Sequence, residues 1–264
     1  MHYVWRWVMA QKTIHTMLDS GFQRPHHQRI ARVLGALNGP LLRENSCLFG
    51  GGTAIALRYG EYRESVDIDF LVSDIGSYRA LRQLLTGSAG IGAIFHPSIV
   101  PSAVVVNQAR EVRADQYGIR TALSVDGQLI KFEIILEGRI QLAEPAPADQ
   151  VCGIATLTPL DMATSKLLAN SDRGNDDGVF SRDLIDLAMM SPTLALLRHA
   201  VAKAEAAYGQ SVLRDLQKSI DAIQTRPDRL QRCMLVMAMA MPKVVVWQKI
   251  RALKRVLPKD TASQ

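Results

Sequence analysis

Asp67 and Asp69 are the residues best placed by type and spacing to do chemistry. In Ser65-Val66-Asp67-Ile68-Asp69-Phe70-Leu71-Val72 they stand two apart in an alternating stretch. A strand would therefore put both carboxylates on one face, with Val66, Ile68, Phe70 and Val72 on the other. Two like charges that close repel each other and raise one pKa unless a cation sits with them. A hard divalent ion such as Mg²⁺ meets that need, because it prefers carboxylate oxygens. Upstream, Gly50-Gly51-Gly52-Thr53 leads into a short helix expected over 53–59. Glycine lets backbone approach a ligand closely, and the free N–H groups of a first helical turn attract phosphate. A third carboxylate is wanted on a neighbouring strand. Glu133 fits, an acid inside the apolar run Leu129-Ile130-Lys131-Phe132-Glu133-Ile134-Ile135-Leu136, with Lys131, Glu137 and Arg139 as lesser candidates. Further on, Lys166, Asn170 and Arg173 fall at i, i+4 and i+7 and share one helix face. Asp183 follows Ser181 at a helix start, and Asp186 reads as structural.

These groups need elements to hold them. Ile30, Val33, Leu34 and Leu37 trace one face of a helix that stops at Asn38-Gly39-Pro40. From Cys47 to Leu136 the pattern is of short strands: 47–49, 65–73, 102–107, 118–125 and 128–136. Asp126-Gly127 forms the hairpin turn between the last two. A Pro/Ala-rich connection, Glu144 to Gln150, separates these from a helical remainder. Thr158-Pro159-Leu160-Asp161 is a helix start: a capping threonine, proline at the first position and an acid in the first turn. Breaks are expected near Gly174–Gly178, Ser191-Pro192, Gly209, Pro227 and Pro242. The fold class is therefore α+β: a mixed sheet core with a helical N-terminal preface over 1–150, and an all-helical C-terminal domain over 151–264.

The 264 residues are 48% apolar and 21% charged, which excludes a long disordered chain. No run is long and apolar enough for a membrane span, and the opening residues lack a signal-peptide core, so a cytoplasmic protein with no membrane partner is expected. Three widely spaced cysteines fit a reducing compartment and carry no metal spacing. His26-His27 reads as a surface pair, and the Met-rich run 233–241 as core. Charge is uneven: the net is +4 over 1–45, −3 over 46–150 and +5 over 151–264. Within the last part, 226–264 carries a net +7. An acidic middle flanked by basic ends suits a metal-carboxylate site with arms that attract phosphate.

The combination of Gly51-Gly52-Thr53, a short helix, Arg58, Arg63, Ser65, Asp67, Asp69 and Phe70 resembles the nucleotidyltransferase superfamily. More narrowly it resembles the AbiEii/AbiGii toxin family, over roughly residues 30–190. Lys166, Arg173 and Asp183 stand where that family has a helix with Lys and Arg followed by an acid. The resemblance implies a nucleotidyltransferase-like core that transfers NMP from an NTP. Asp67 and Asp69 would hold Mg²⁺, with Glu133 in place of the aspartate many relatives carry. Gly51, Gly52, Thr53, Ser65 and Arg173 would bind the nucleotide, and Lys166 and Asp183 would join the aspartates in catalysis. Implied partners are an RNA acceptor, transfer RNA foremost, and a cognate antitoxin, with phosphorylation of Ser65 as a means of silencing. A small-molecule nucleotidyltransferase of the antibiotic-modifying kind, and a non-catalytic nucleotide- or RNA-binding protein, are the alternatives.

Overall fold

The computed structural model describes residues 21–96 and 106–258. The chain divides into two compact units that interleave along the sequence. A sheet unit holds residues up to 49, 66–136 and 150–156; a helical unit holds 50–65, 137–149 and 157 onward. The sequence boundary expected at 150 thus sits beside one of several crossings between units, because the Gly-rich segment and the 137–149 connection group with the C-terminal helices.

In the sheet unit, α1 (Pro25–Ala36) buries Ile30, Val33 and Leu34, as the periodicity predicts. Leu37 is its C-cap, with its N–H bonded to Leu34 O. Asn38 both ends that helix and starts another, α2 (Gly39–Glu44), by accepting a hydrogen bond from Leu41 N. The chain then enters β1 (Leu48–Gly50) and, after the Gly-rich helix, β2 (Ile68–Val72). Next comes α4 (Ile75–Leu85), which the sequence reading missed. Its signals are present: Asp74 accepts from Ser77 N as an N-cap, and Tyr78, Leu81 and Leu85 form the buried face. The strands β3 (Val106–Gln108), β4 (Arg113–Ala114), β5 (Gly118–Val125) and β6 (Gln128–Leu136) complete one mixed sheet in the order β1-β2-β6-β5-β3, with β4 on β5. Residues 102–105 of the strand expected over 102–107 lie outside the described residues. The hairpin at Asp126-Gly127 is as expected, both residues having positive φ, the geometry a tight turn demands. Strands β7 (Gln150–Val151) and β8 (Ile154–Ala155) form a separate hairpin. Phe49, Phe70 and Phe132 stack across the sheet with centroids 5.6 and 5.5 Å apart, fixing the core behind the acidic face. Two expectations fail here. Val66 precedes β2 and is 48% exposed, so the strand expected over 65–73 starts three residues later, at Ile68. His27 is fully buried in the apolar face of α1, and only His26 is at the surface, bonding Val66 O at 3.0 Å.

The helical unit begins with α3 (Gly51–Arg58), two residues earlier than expected because Gly50 and not Thr53 takes the N-cap position. It continues with α5 (Pro159–Arg173), α6 (Arg182–Met189), α7 (Leu194–Tyr208), α8 (Ser211–Thr225), α9 (Arg229–Val236) and α10 (Lys243–Ala252). The breaks fall where glycine and proline place them. Thr158 caps α5 through Asp161 N, as expected. Asp161 is wholly buried: it accepts from Ala143 N at 2.7 Å and pairs with Lys203, tying the 137–149 connection and α7 to the start of α5. The Met-rich run is only partly core. Met234 and Met237 are buried, whereas Leu235 and Val236 are exposed because α9 turns that side outward.

Candidate active site

Within the sheet unit the acidic residues gather as the spacing implied. Asp69 lies in β2, directly in register with Glu133 of the parallel neighbour β6. Register partners on adjacent strands put their side chains on the same face, with the strands about 5 Å apart. Asp67 stands just before β2 and, like Asp69, is half-buried. Glu133 is not a solvent-facing acid: its carboxylate is mostly buried and receives Arg120 Nε at 3.1 Å and Lys131 Nζ at 2.7 Å. Arg120 also pairs with Asp115 at 2.9 Å. The lesser candidates divide accordingly, Lys131 serving Glu133 while Glu137 is buried against Arg139 in the helical unit. Among the described residues no group of three His, Cys, Asp or Glu is arranged to hold a metal ion. By chemistry the donors nevertheless suit Mg²⁺: two carboxylates two residues apart are hard oxygen ligands, and Glu133 is in register with the second. Glu133 is already paired with two cations, Arg120 and Lys131.

Within the helical unit the Gly-rich segment rests on a buried ion network that the sequence only hinted at. Gly51 has φ +67, a conformation glycine adopts without strain. At Gly52 the constraint is space. A Cβ there would overlap Arg63 Nη2 and come within 3.3 Å of its Cζ and 3.2 Å of Asp186 Oδ2. Arg63 cannot step aside freely, since Nε and Nη2 bond Asp186 at 2.6 and 3.0 Å and Nη1 bonds Glu64 O at 2.8 Å. Asp186, fully buried, also accepts from Tyr62 Oη at 2.7 Å and pairs with Lys166 Nζ at 2.7 Å. Lys166, 5% exposed, donates as well to Asp183 at 2.9 Å, and Asp183 is gripped by Arg173 through Nε at 2.7 Å and Nη2 at 3.0 Å. Asp183 and Asp186 can share Lys166 because they lie three apart on α6.

Electrostatics hold the acids and the lysine of this network charged. Burial alone would raise the Asp186 pKa, but Arg63 and Lys166 outweigh it and the carboxyl is held below its usual range. Asp183 behaves alike: Lys166 and Arg173 overcome its burial. For Lys166, burial would lower the pKa, yet Asp186 and Asp183 keep it raised. Tyr62 is pushed well up, first by burial and then by the Asp186 charge. The network places the lysine charge between two carboxylates and leaves Arg173, whose side chain is 41% exposed, as its cation nearest to solvent. On the same face of α5, Asn170 is buried with its amide nitrogen unbonded.

Of the expected nucleotide-binding residues, Thr53 and Ser65 bond each other, Thr53 Oγ1 donating to Ser65 Oγ at 2.8 Å. Both are buried, and Ser65 is therefore not presented to a modifying kinase as expected. Arg58 Nη2 pairs with Asp149 at 2.9 Å and Nη1 donates to Leu157 O at 3.5 Å, so it braces the 137–149 connection. Asp186, read as structural, is the centre of that buried network, and Tyr62 is the residue sequence reasoning missed. The three-residue spacing from Asp183 was the available signal for the first; no pattern marked the second.

A mixed sheet with one acid in β2 and another just before it, and a Gly-Gly-Thr helix in the other unit, make an α+β protein. The sequence profile of the nucleotidyl transferase AbiEii toxin, Type IV TA system, matches residues 32–253, and the chain belongs to that family of nucleotidyl transfer enzymes. Two solved structures are similar. One is JHP933 from Helicobacter pylori, 17% identical, covering 87% of this chain and 91% of that one with a TM-score of 0.46. The other is a candidate nucleotidyltransferase from H. pylori, 16% identical, covering 87% and 94% with a TM-score of 0.45. No curated protein is detectably similar. No helix among the described residues is long and apolar enough to cross a membrane.

Proposed function

We propose that this chain is a Mg²⁺-dependent toxin that transfers a nucleoside monophosphate from an NTP to an RNA hydroxyl, with transfer RNA as the preferred acceptor. The observation that carries the reading is the register of Asp69 with Glu133, with Asp67 two residues before. Asp67 and Asp69 would hold the metal. When bound, Mg²⁺ neutralises the triphosphate and lowers the pKa of the acceptor hydroxyl. The hydroxyl oxygen bonds to the α-phosphorus in line as the bond to the β-phosphate oxygen breaks; pyrophosphate leaves and the hydroxyl proton passes to solvent. Little bond-making falls to the protein, so its residues position and neutralise. Backbone N–H groups of Gly52 and Thr53, in the first turn of α3, are donors suited to terminal phosphates. Glu133 keeps Arg120 and Lys131 on the acidic strand pair, where they offset the charge of an anionic substrate. Lys166 and Asp183 act through the buried network: they fix α5 to α6 and brace Arg63 over Gly52. Arg173 is the member with the exposure to meet phosphate. The family's Type IV toxin–antitoxin description adds a cognate antitoxin as the regulating partner.

Incubation with each labelled NTP, Mg²⁺ and total RNA should give labelled RNA of transfer-RNA size, and EDTA should abolish it. Asp69→Asn should remove the product without changing the melting temperature. Near-wild-type turnover by that variant would sink the two-carboxylate mechanism. Label on a small molecule with none on RNA would redirect the acceptor.

A further inference from the structure

The basic C-terminal end is not one uniform surface. Of four cations in 249–255, Lys249 bonds Ser191 Oγ and Arg255 Nη2 bonds Pro192 O, so these two tie α10 and the turn that follows it to the loop after α6. Arg251 and Lys254 instead line an open groove of about 790 Å³ within the helical unit. Its apolar floor includes Ile223 of α8, Leu230 of α9 and Val244 of α10, the last 59% exposed. Trp247 lies in it, partly exposed. Arg226 and Lys243 complete a rim of four cations against a single carboxylate, Asp228.

The arrangement along α10 is specific. Lys243, Trp247 and Arg251 are four apart and line the same groove, so a cation sits one helical turn, about 6 Å, to either side of the indole. Neither Lys243 nor Arg251 has an ion-pair or hydrogen-bond partner among the described residues, whereas Lys254 is shared with Asp221 and Gln224 and Arg226 with Asp177. A smaller hollow of about 230 Å³ shares Arg226, Pro227 and Asp228 with the groove and adds Arg229, Arg232 and Phe180. Arg232 lies over the Phe180 ring at 5.5 Å. Cation, aromatic, cation at one-turn spacing is what a single strand of nucleic acid requires: a base stacks on a ring while the phosphates on either side are neutralised. The aliphatic floor of Ile223, Leu230 and Val244 would suit the apolar side of a helix, but the flat indole flanked by two cations favours a base with its phosphates.

We infer that this groove is a binding site for single-stranded RNA, with a base stacked on Trp247 and phosphates on Lys243, Arg251 and Arg226. It rests on the RNA-acceptor reading for its purpose, and it is a holding site separate from the carboxylates that would run the transfer. The site gives the net +7 of 226–264 a physical role that solubility alone does not require.

Trp5→Phe and Trp7→Phe leave Trp247 as the sole tryptophan, so its fluorescence reports on the groove. Titration with a uridine decamer across a salt series should quench that fluorescence. Lys243→Gln with Arg251→Gln should weaken binding and reduce the salt slope by roughly 1.4, about 0.7 for each lost phosphate contact. In the otherwise wild-type chain, Trp247→Leu should weaken decamer binding, read by anisotropy of a labelled strand, roughly 5- to 100-fold, and Trp247→Phe much less. Lys249→Gln, outside the groove, should leave affinity and slope unchanged, and melting temperatures confirm that each variant folds. Unchanged RNA affinity in the double variant overturns the inference, and if RNA is still labelled from NTP the acceptor reading survives that failure. Groove binding with no labelled RNA supports the inference and removes the acceptor reading. Displacement of the decamer by polyglutamate at equal charge concentration overturns the inference in favour of an acidic protein.

Discussion

Gly52→Ala tests whether the ion network sets the shape of the Gly-rich segment. Gly52 occupies the first turn of α3, where alanine would ordinarily stabilise by about 0.4–1 kcal/mol through helix propensity and a less disordered unfolded chain. Here the added methyl overlaps the Arg63 guanidinium, which is pinned by two bonds to a fully buried Asp186 and one to Glu64 O. Room can be made only by displacing Arg63 from Asp186 or by shifting the start of α3. Breaking a buried ion pair costs on the order of 3–5 kcal/mol, and Lys166 still holds one Asp186 oxygen, so the lower part of that range applies. Offset by the propensity gain, the expected loss is roughly 2–3 kcal/mol in urea unfolding, read on the transition that includes the helical unit. The second arm is a cycle. In an Arg63→Met background the methyl meets no pinned guanidinium, so Gly52→Ala should cost less by more than about 1 kcal/mol. Stabilisation by Gly52→Ala alone, or an unchanged cost in both backgrounds, would refute the claim that Arg63 dictates glycine at 52.

Lys166→Met leaves Asp183 and Asp186 sharing a buried space without their common cation, and should destabilise by roughly 3–5 kcal/mol in the absence of any nucleotide; unchanged stability with lost NTP affinity would make Lys166 a ligand-binding group alone. The depressed pKa values of Asp183 and Asp186 give a stabilisation that is complete above the ordinary carboxylate range, near pH 4, and is lost as pH falls through the folded values. Urea midpoints from pH 6 to 2 should therefore drop at the acid end, and a flat profile would deny the network that role. Of the three free cysteines only Cys152 is exposed, so maleimide should label one thiol in the native protein and all three after denaturation, as mass spectrometry would show.

The sequence by itself determined what depends on neighbours in the chain. Helix and strand periods, the capping Thr158, the turn at Asp126-Gly127 and the glycine and proline breaks were all legible, because caps and turns are satisfied by bonds spanning a few residues. The spacing of Asp67 and Asp69 belongs to this class, whereas the register of Asp69 with Glu133 came from the fold. Other features needed the tertiary structure. Asp186 became the centre of the network because folding brought it against Tyr62 and Arg63, more than a hundred positions away, and burial made each unpaired charge too costly to leave. Gly52 looks in sequence like a site for a close ligand, yet in the fold its missing side chain makes room for Arg63. Likewise the basic tail reads as a single run of charge, and only the fold sorted Lys249 and Arg255, bonded to Ser191 and Pro192, from Lys243 and Arg251, which line the groove. Charge and residue type are written locally, but whether a charge is spent on the fold or kept for a partner depends on what the fold places beside it.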